Sequence, residues 1–261
     1  LLCLSGVEGL LSGAQKPLND HVTNLQLSMT EKPMSKEYCL ELSGDFACFT
    51  RPELKVERVS YDVITPSAAR NIFQAILWKP AIRWEVTRIE VRKPIRHISV
   101  KRNEVGALAR PGGKEILIEE ARQQRTSYIL RDVEYRIFAR QVFIPVSNRS
   151  EEERREFESR NEVEKQSECP GKYQGMFERR ASKGQCFTMP YLGCREFSCL
   201  FRYIPDAPHS EGIDETRDLG LMLYDMDFDS NPKNPEAMFF RARMNHGVVE
   251  VPEPNSEEIL R

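Results

Sequence analysis

The stretch AIRWEVTRIEVRKPI, residues 81–95, alternates apolar and polar side chains more regularly than any other part of the chain. Ile82, Trp84 and Val86 fall on one face, and Arg83, Glu85 and Thr87 on the other. Ile89 and Val91 then resume the apolar set one step out of phase. Alternation with period two marks a strand half-buried against a core. The slip at Thr87-Arg88 predicts a β-bulge. A strand with one apolar face needs partner strands and an apolar layer packed over it. The segment just before it, TPSAARNIFQAILWKP, offers that layer as a helix. Thr65 suits its N-cap, Pro66 its first turn, and Lys79-Pro80 its end. Ala68, Ile72, Ala75, Ile76 and Trp78 form its candidate packed face.

The same reading extends along the chain. EYCLELSGDFACF (37–49) alternates as a strand. HISVKRNEVGALARPGGKEILIEEARQQR reads as a long basic connection with a Pro-Gly-Gly turn, and TSYILRDVEYRIFARQVFIPV (126–146) as a strand or strand pair. Residues 147–168 are densely charged, either a solvated helix or a flexible insertion. Pro170-Gly171 opens a second helix that Gly184 closes, and QCFTMPYLGCREFSCLFRYI follows as a strand with a Gly-Cys-Arg turn. Two or three strands make up the tail, with a hairpin turn at Asn245-His246-Gly247. Strand, helix, strand, strand, helix, strand is the split βαβ order. The expected fold is α+β: a ferredoxin-like, RRM-like βαββαβ antiparallel sheet with helices on one face, plus a small C-terminal antiparallel β part. The expected division is 34–204 for the ferredoxin-like part, with a charged insertion near 147–168, and 205–261 for the β part. RNA-recognition modules use the open face of such a sheet.

Charge and cysteines narrow the chemistry. With a net charge of −2 over 261 residues there is no global basic field, so any nucleic-acid site must come from local clustering of Lys and Arg. The seven cysteines form no CxxC pair and have no His at zinc-ligand spacing, which reads as reduced thiols in a cytoplasmic protein without a metal site. The opening residues 1–33 lack a basic n-region, are broken by Glu8, and are too short to span a bilayer. They read as a dispensable, disordered extension, with the working protein starting near Met29 or Met34 and no membrane partner.

Long, uncommon motifs carry a resemblance. GDFACFTRPELKVERVSYDVITPSAARNIFQAILWKPAIRW, then KRNEV, then NRSEEE, GKY and ERRASKGQCFTMPYLGCREF, and finally RDLGLMLYDMDF closely resemble the CRISPR-associated family-five protein of type I-C systems. The match spans roughly residues 37–250. The resemblance implies an RNA-binding endoribonuclease that cuts the CRISPR repeat transcript at its stem-loop without metal or other cofactor. It implies that the protein then stays on the crRNA 5′ handle as a subunit of the surveillance complex, beside a backbone subunit and a large subunit.

Metal-free RNA cleavage uses the 2′-OH as an internal nucleophile and needs a base, a cation on the phosphorane and an acid for the leaving 5′-oxygen. The family typically carries an aromatic residue or His before the Trp-Lys-Pro, and a Gly-Lys-His run before the second helix. Here Leu77 precedes Trp78-Lys79-Pro80, Gly171 and Lys172 match, and Tyr173 stands in the His position. Lys172 and Tyr173 are therefore the candidate catalytic pair. Three readings of Lys172 stand: phosphate-stabilising, RNA-binding only, or a solvated lysine at a helix end. Leu77 cannot transfer a proton, and an unperturbed phenol with a pKa of about 10 is a poor base at neutral pH. A non-catalytic scaffold that binds the 5′ handle is thus the alternative function. Of the four histidines, His97 is the best stand-in for the missing base, against the plainer reading of a surface histidine. The RNA-binding candidates are Lys55, Arg58, Tyr61, Arg70, Lys79, Arg102, Arg125, Arg179, Arg180 and Arg195, basic residues interleaved with aromatics. Tyr61 and Trp78 could equally be core.

Overall fold

The computed structural model describes residues 36–261 apart from 55, 114, 229 and 232. The expected extension at 1–33 lies outside the described residues. In chain order the elements are β1 Glu37–Ala47, α1 Pro66–Ile76, β2 Ile82–Val91, β3 His97–Val105, α2 Ile118–Ala121, β4 Arg122–Phe143, α3 Glu151–Glu158, α4 Glu162–Gln166 and α5 Pro170–Ser182. β5 Leu200–Ile204, β6 Arg217–Asp227, β7 Glu236–Asn245, β8 Val248–Glu250 and β9 Ile259–Leu260 follow. This is an α+β fold built on one large antiparallel sheet, in the order β5-β1-β4-β2-β8-β7-β6, with β3 on β4 and β9 on β7. Among the described residues no helix is long and apolar enough to cross a membrane.

β2 alternates as its sequence demands, and the register slips between Val86 and Arg88, where the bulge was expected. α1 begins on Thr65, whose Oγ1 accepts from the Ala68 N–H at 3.3 Å, with Pro66 in the first turn. Its buried residues Ile72, Phe73 and Ile76 share one core with Tyr173, Phe177 and Ala181 of α5. Aromatic rings join the two helices to the sheet: Phe73 and Trp84 lie 4.9 Å apart, Trp84 and Phe177 4.6 Å, and Tyr38 and Phe177 4.9 Å. Each such ring fully buried contributes about 1.5–3 kcal/mol of transfer free energy.

β4 is a single strand of 22 residues, not a pair. Its first part pairs with β3 and its second with β1 and β2. Asp132, at φ 52, lies just past the β3-paired stretch and is exposed together with Arg131, so the alternation shifts phase there. A short polar Asp tolerates this left-handed conformation better than most residues do.

The stretch read as a basic connection instead forms β3 over residues 97–105. Ile98, Val100, Arg102 and Glu104 share a half-exposed face and Ser99, Lys101, Asn103 and Val105 an exposed one, so the two charges on the inner face hide the alternation. The strand expected over 185–204 is formed only at Leu200–Ile204. The preceding residues make a tight crossing over β1 instead: the Cys48 N–H donates to the Leu192 carbonyl at 3.0 Å, and a Cβ on Gly193 would come within 2.0 Å of the Cys48 carbonyl oxygen. Gly193 also has φ +83, so only glycine fits both the contact and the backbone. The charged run becomes α3, opened by a Ser150–Glu153 capping box, and α4, capped by Asn161. β7 turns into β8 through His246 (φ 46) and Gly247 (φ 73), and β8 pairs with β2. The C-terminal strands thereby extend the same sheet.

Candidate nucleic-acid interface

The end of α1 forms one wall of a groove of about 660 Å³ whose lining includes Arg70, Trp78, Lys79, Arg83, Tyr224 and Asp225. Leu77, at the helix C-cap, is fully buried, and its carbonyl accepts from Trp84 Nε1 at 2.9 Å. The chain therefore turns outward after it, leaving Trp78 57% exposed and Lys79 exposed. Arg70 donates twice to the Asp225 carboxylate, at 2.6 and 2.9 Å, and so ties α1 to β6. Arg180 of α5 donates from Nη1 to the Ile76 carbonyl at 3.1 Å, satisfying a carbonyl that the helix end leaves open. The Phe187 N–H bonds the Ala75 carbonyl at 2.7 Å, which brings an 88% exposed phenyl ring to the end of α1. Arg179 is exposed on α5.

Lys172 sits in the first turn of α5, exposed, with Nζ donating to Ser167 Oγ at 2.8 Å. Cys169 caps that helix without a side-chain hydrogen bond, Pro170 has no N–H, and the Lys172 N–H bonds the Cys169 carbonyl at 3.2 Å, so the Gly171 N–H carries the partial positive charge of the helix start. A lysine over such an end suits a phosphate. Tyr173 points the other way. It is buried, and its hydroxyl donates to Glu168 Oε1. Burial first, and then the Glu168 carboxylate, push the phenol up to about 12. Glu168 in turn receives Arg149 Nη1 at 3.0 Å, a pair with side chains only 4% and 1% exposed. Arg149 also donates from Nε and Nη2 to the Ile144 carbonyl at 3.1 and 2.9 Å. Tyr173 is thus held in a closed ionic cluster under Lys172. Arg149 and Glu168 did not stand out in the sequence, where they are two more charges in a charged run.

His97 is on β3, facing Leu130 of β4 in the register. Its ring stacks on Tyr128 at 4.6 Å, and Nε2 lies 3.3 Å from Asp62. Burial holds its pKa below the usual value, with Asp62 opposing the shift. Its ring partners are Tyr128 and Asp62, and Lys172 is not among them. His209 and His246 bond Glu37 and Asp214, at 2.6 and 3.1 Å.

A second basic group gathers where β3 and β4 meet the end of β1. Arg58 Nη1 lies 3.1 Å from Cys194 Sγ and 3.4 Å from Glu196 Oε1. Arg102 Nη1 meets the same Glu196 oxygen at 3.4 Å, and its Nε donates to Ser127 Oγ at 2.8 Å. Arg195 is exposed in the same turn. Beneath them lies a pocket of about 170 Å³, walled by Phe46, Phe197, Val100 and Ile129. A small apolar cluster of Cys48, Ile129 and Cys194 forms its floor, separate from the main core because Ile129 and Leu130 point to opposite faces of β4. The hydrogen bond with Cys48, and then Arg58, hold the Cys194 thiol below its ordinary range.

The structure therefore brings Arg58 and Arg102 to one pocket, Arg70 and Lys79 to one groove, and Lys172, Arg179 and Arg180 to one helix, while Arg195 is exposed in the turn beside the pocket. Arg125 lies opposite Arg102 in the β3–β4 register and donates to Gln123 at 2.8 Å. Tyr61 is 1% exposed, in the core beneath Arg51, so its ring meets no solvent. Lys55 lies outside the described residues.

Comparison with known proteins gives these features their context. Two curated relatives each bear the name CRISPR pre-crRNA endoribonuclease Cas5d. The one from Mannheimia succiniciproducens is 43% identical over 245 residues, covering 87% of this chain and 100% of the relative. The one from Thermus thermophilus is 41% identical over 234 residues, covering 84% and 92%. A solved structure titled as a CRISPR-associated protein shares the fold at a TM-score of 0.57 and 22% identity, covering 87% of this chain and 97% of that one. A functionally uncharacterized Streptococcus mutans protein does so at 0.57 and 22%, covering 87% and 98%. The family model for CRISPR-associated protein (Cas_Cas5), in its Cas5d form, matches residues 37–252, and on these matches the chain belongs to the Cas5d family.

Proposed function

We propose that this chain is a CRISPR pre-crRNA endoribonuclease, the activity that names both curated relatives, and that it cuts repeat RNA without a metal ion. The observation that carries the reading is Lys172, exposed over the open N-terminus of α5 with Nζ held on Ser167. A scissile phosphate seated there meets the ammonium and the Gly171 N–H at the helix start, which stabilises charge as it develops on the phosphorane. The RNA 2′-oxygen forms the new bond to phosphorus and the bond to the 5′-oxygen breaks, leaving a 2′,3′-cyclic phosphate and a 5′-hydroxyl. Tyr173 supports this site from beneath, through its bond to buried Glu168, rather than by exchanging a proton at neutral pH.

The strand order β5-β1-β4-β2, with α1 and α5 on one core, supports the split βαβ reading of residues 34–204, and β6 to β9 the reading of 205–261 as an added β part. The groove along α1 and the arginines at the hairpin pocket suit a bound RNA hairpin and its single-stranded 5′ handle. After cleavage the protein stays on that handle in the cytoplasm, next to the backbone and large subunits of the type I-C complex.

A second reading, a handle-binding scaffold without cleavage, draws on buried Leu77 and the engaged Tyr173 hydroxyl. One gel separates the two. The purified protein is incubated in EDTA with the repeat hairpin RNA of its own locus. A discrete product ending in a 2′,3′-cyclic phosphate is expected. Tight binding with no product would overturn the enzyme reading in favour of the scaffold.

A further inference from the structure

We infer that the pocket beneath Arg58 and Arg102 receives one unpaired uracil base of the bound RNA. This rests on the RNA-binding reading above and adds a base-reading site to it.

The pocket joins the two features that base recognition needs. Its lining is apolar and partly aromatic: Phe46 and Phe197 stand with ring centroids 6.1 Å apart, beside Val100 and Ile129. Phe46 is half-exposed at the mouth, although a phenyl ring gains by being covered. Stacking on such a ring is available to any base. Its volume, about 170 Å³, has room for one ring system and not for a length of chain.

The mouth carries the selective part. Arg58 Nη1 and Arg102 Nη1 both approach Glu196 Oε1 at 3.4 Å. These contacts are longer than an ordinary hydrogen bond and exchange readily for a ligand. Two guanidinium donors thus converge on one carboxylate acceptor. The Watson–Crick edge of uracil presents the complement, with the O4 acceptor, the N3–H donor and the O2 acceptor in a row. Cytosine and adenine have no ring N–H on that edge, and guanine places two donors side by side, so each matches less of the mouth. The two arginines face two carboxylates, Glu196 and Glu104, the latter 2.7 Å from Arg102 Nη2, so the mouth is charge-balanced and suits a base edge rather than a phosphate. Arg102 is held in place from behind by its bond to Ser127, a fully buried hydroxyl.

The test uses the full chain and the repeat hairpin RNA of its locus, with each unpaired uridine replaced in turn by 3-methyluridine, which lacks the N3–H donor. At one position the wild-type affinity should fall about tenfold or more, the scale of losing one read base. Glu196→Ala and Phe46→Ala, both substitutions of half-exposed side chains, should lose a similar factor on the unmodified RNA. On the RNA modified at that position they should lose nothing further. Thermal melting of each variant confirms folding. The inference is overturned if wild type and variants lose the same factor at every modified position. It is also overturned if both variants bind unmodified RNA as wild type does and fail only in assembly with partner subunits, which would assign the pocket to a protein side chain. Failure of the wild type to bind the unmodified repeat would instead overturn the RNA reading itself, and the uracil site with it.

Discussion

Replacing Arg149 with methionine removes the cation from the buried cluster that underlies Lys172. The Arg149 side chain is 1% exposed and that of its partner Glu168 is 4%. Once the guanidinium is gone, the Glu168 carboxylate keeps the Tyr173 hydroxyl and Arg160 Nη1 at 3.5 Å. The Ile144 carbonyl loses both of its donors. Breaking a buried ion pair from one side costs about 3–5 kcal/mol. Arg160 moderates that figure, and the orphaned carbonyl adds about 1 kcal/mol, so Arg149→Met should destabilise by roughly 3–4 kcal/mol. In a chain of this size that lowers Tm by roughly 10 °C. Urea unfolding followed by tryptophan fluorescence reads the change, since Trp84 is buried in the core that α5 covers. The triple variant Arg149→Met, Glu168→Met, Tyr173→Phe makes the whole cluster apolar. It should recover to within about 2 kcal/mol of wild type, because no buried charge or hydroxyl then lacks a partner. A cost below 1 kcal/mol for the single variant, or a triple variant no more stable than the single, would refute the reasoning.

Lys172→Ala should cut the rate of RNA cleavage at least a hundredfold while affinity for the repeat falls only a few-fold. Equal cleavage by variant and wild type would remove Lys172 from the site. Tyr173→Phe should cost about 1–2 kcal/mol by stripping buried Glu168 of a donor, and should leave the neutral-pH cleavage rate of folded protein nearly unchanged, because the phenol is pushed up to about 12. A large rate loss without loss of stability would give the phenol a chemical role. His97 should titrate below 6.5 by NMR, since burial disfavours its charged form. The unfolded chain then binds the proton first, so this stability contribution is complete above about pH 6.5 and is lost as the pH falls toward the lower folded value. Affinity for the repeat should fall linearly on a log–log plot against salt concentration, as counterions leave neutralised phosphates. A flat plot would count against the basic surfaces.

The elements legible in the sequence are those whose signals lie within a few residues. The alternation and slip of β2 follow from the apolar positions on either side of Thr87. Thr65 and Pro66 mark the start of α1, and His246-Gly247 the last hairpin. The family is legible for a related reason, because long motifs survive intact in this chain. Arg102 and Glu104 on its inner face obscure the period of β3, and Asp132 shifts the phase of β4, so a local pattern shows neither strand in full.

By itself, then, the sequence determined β1, α1, β2, α5 and the last hairpin, the α+β class, the family and the identity of the basic residues, because propensity, capping and periodicity act over one or two turns of chain. Only the tertiary structure decided which of those residues work together. Glu196 meets Arg58 and Arg102 across 138 and 94 residues, a proximity set by the sheet and the tight crossing at Gly193. Tyr173 and Lys172 are neighbours in sequence, yet one is buried on Glu168 and the other faces solvent. Successive residues of a helix point about 100° apart, and the core that α5 covers chooses which side chain it keeps.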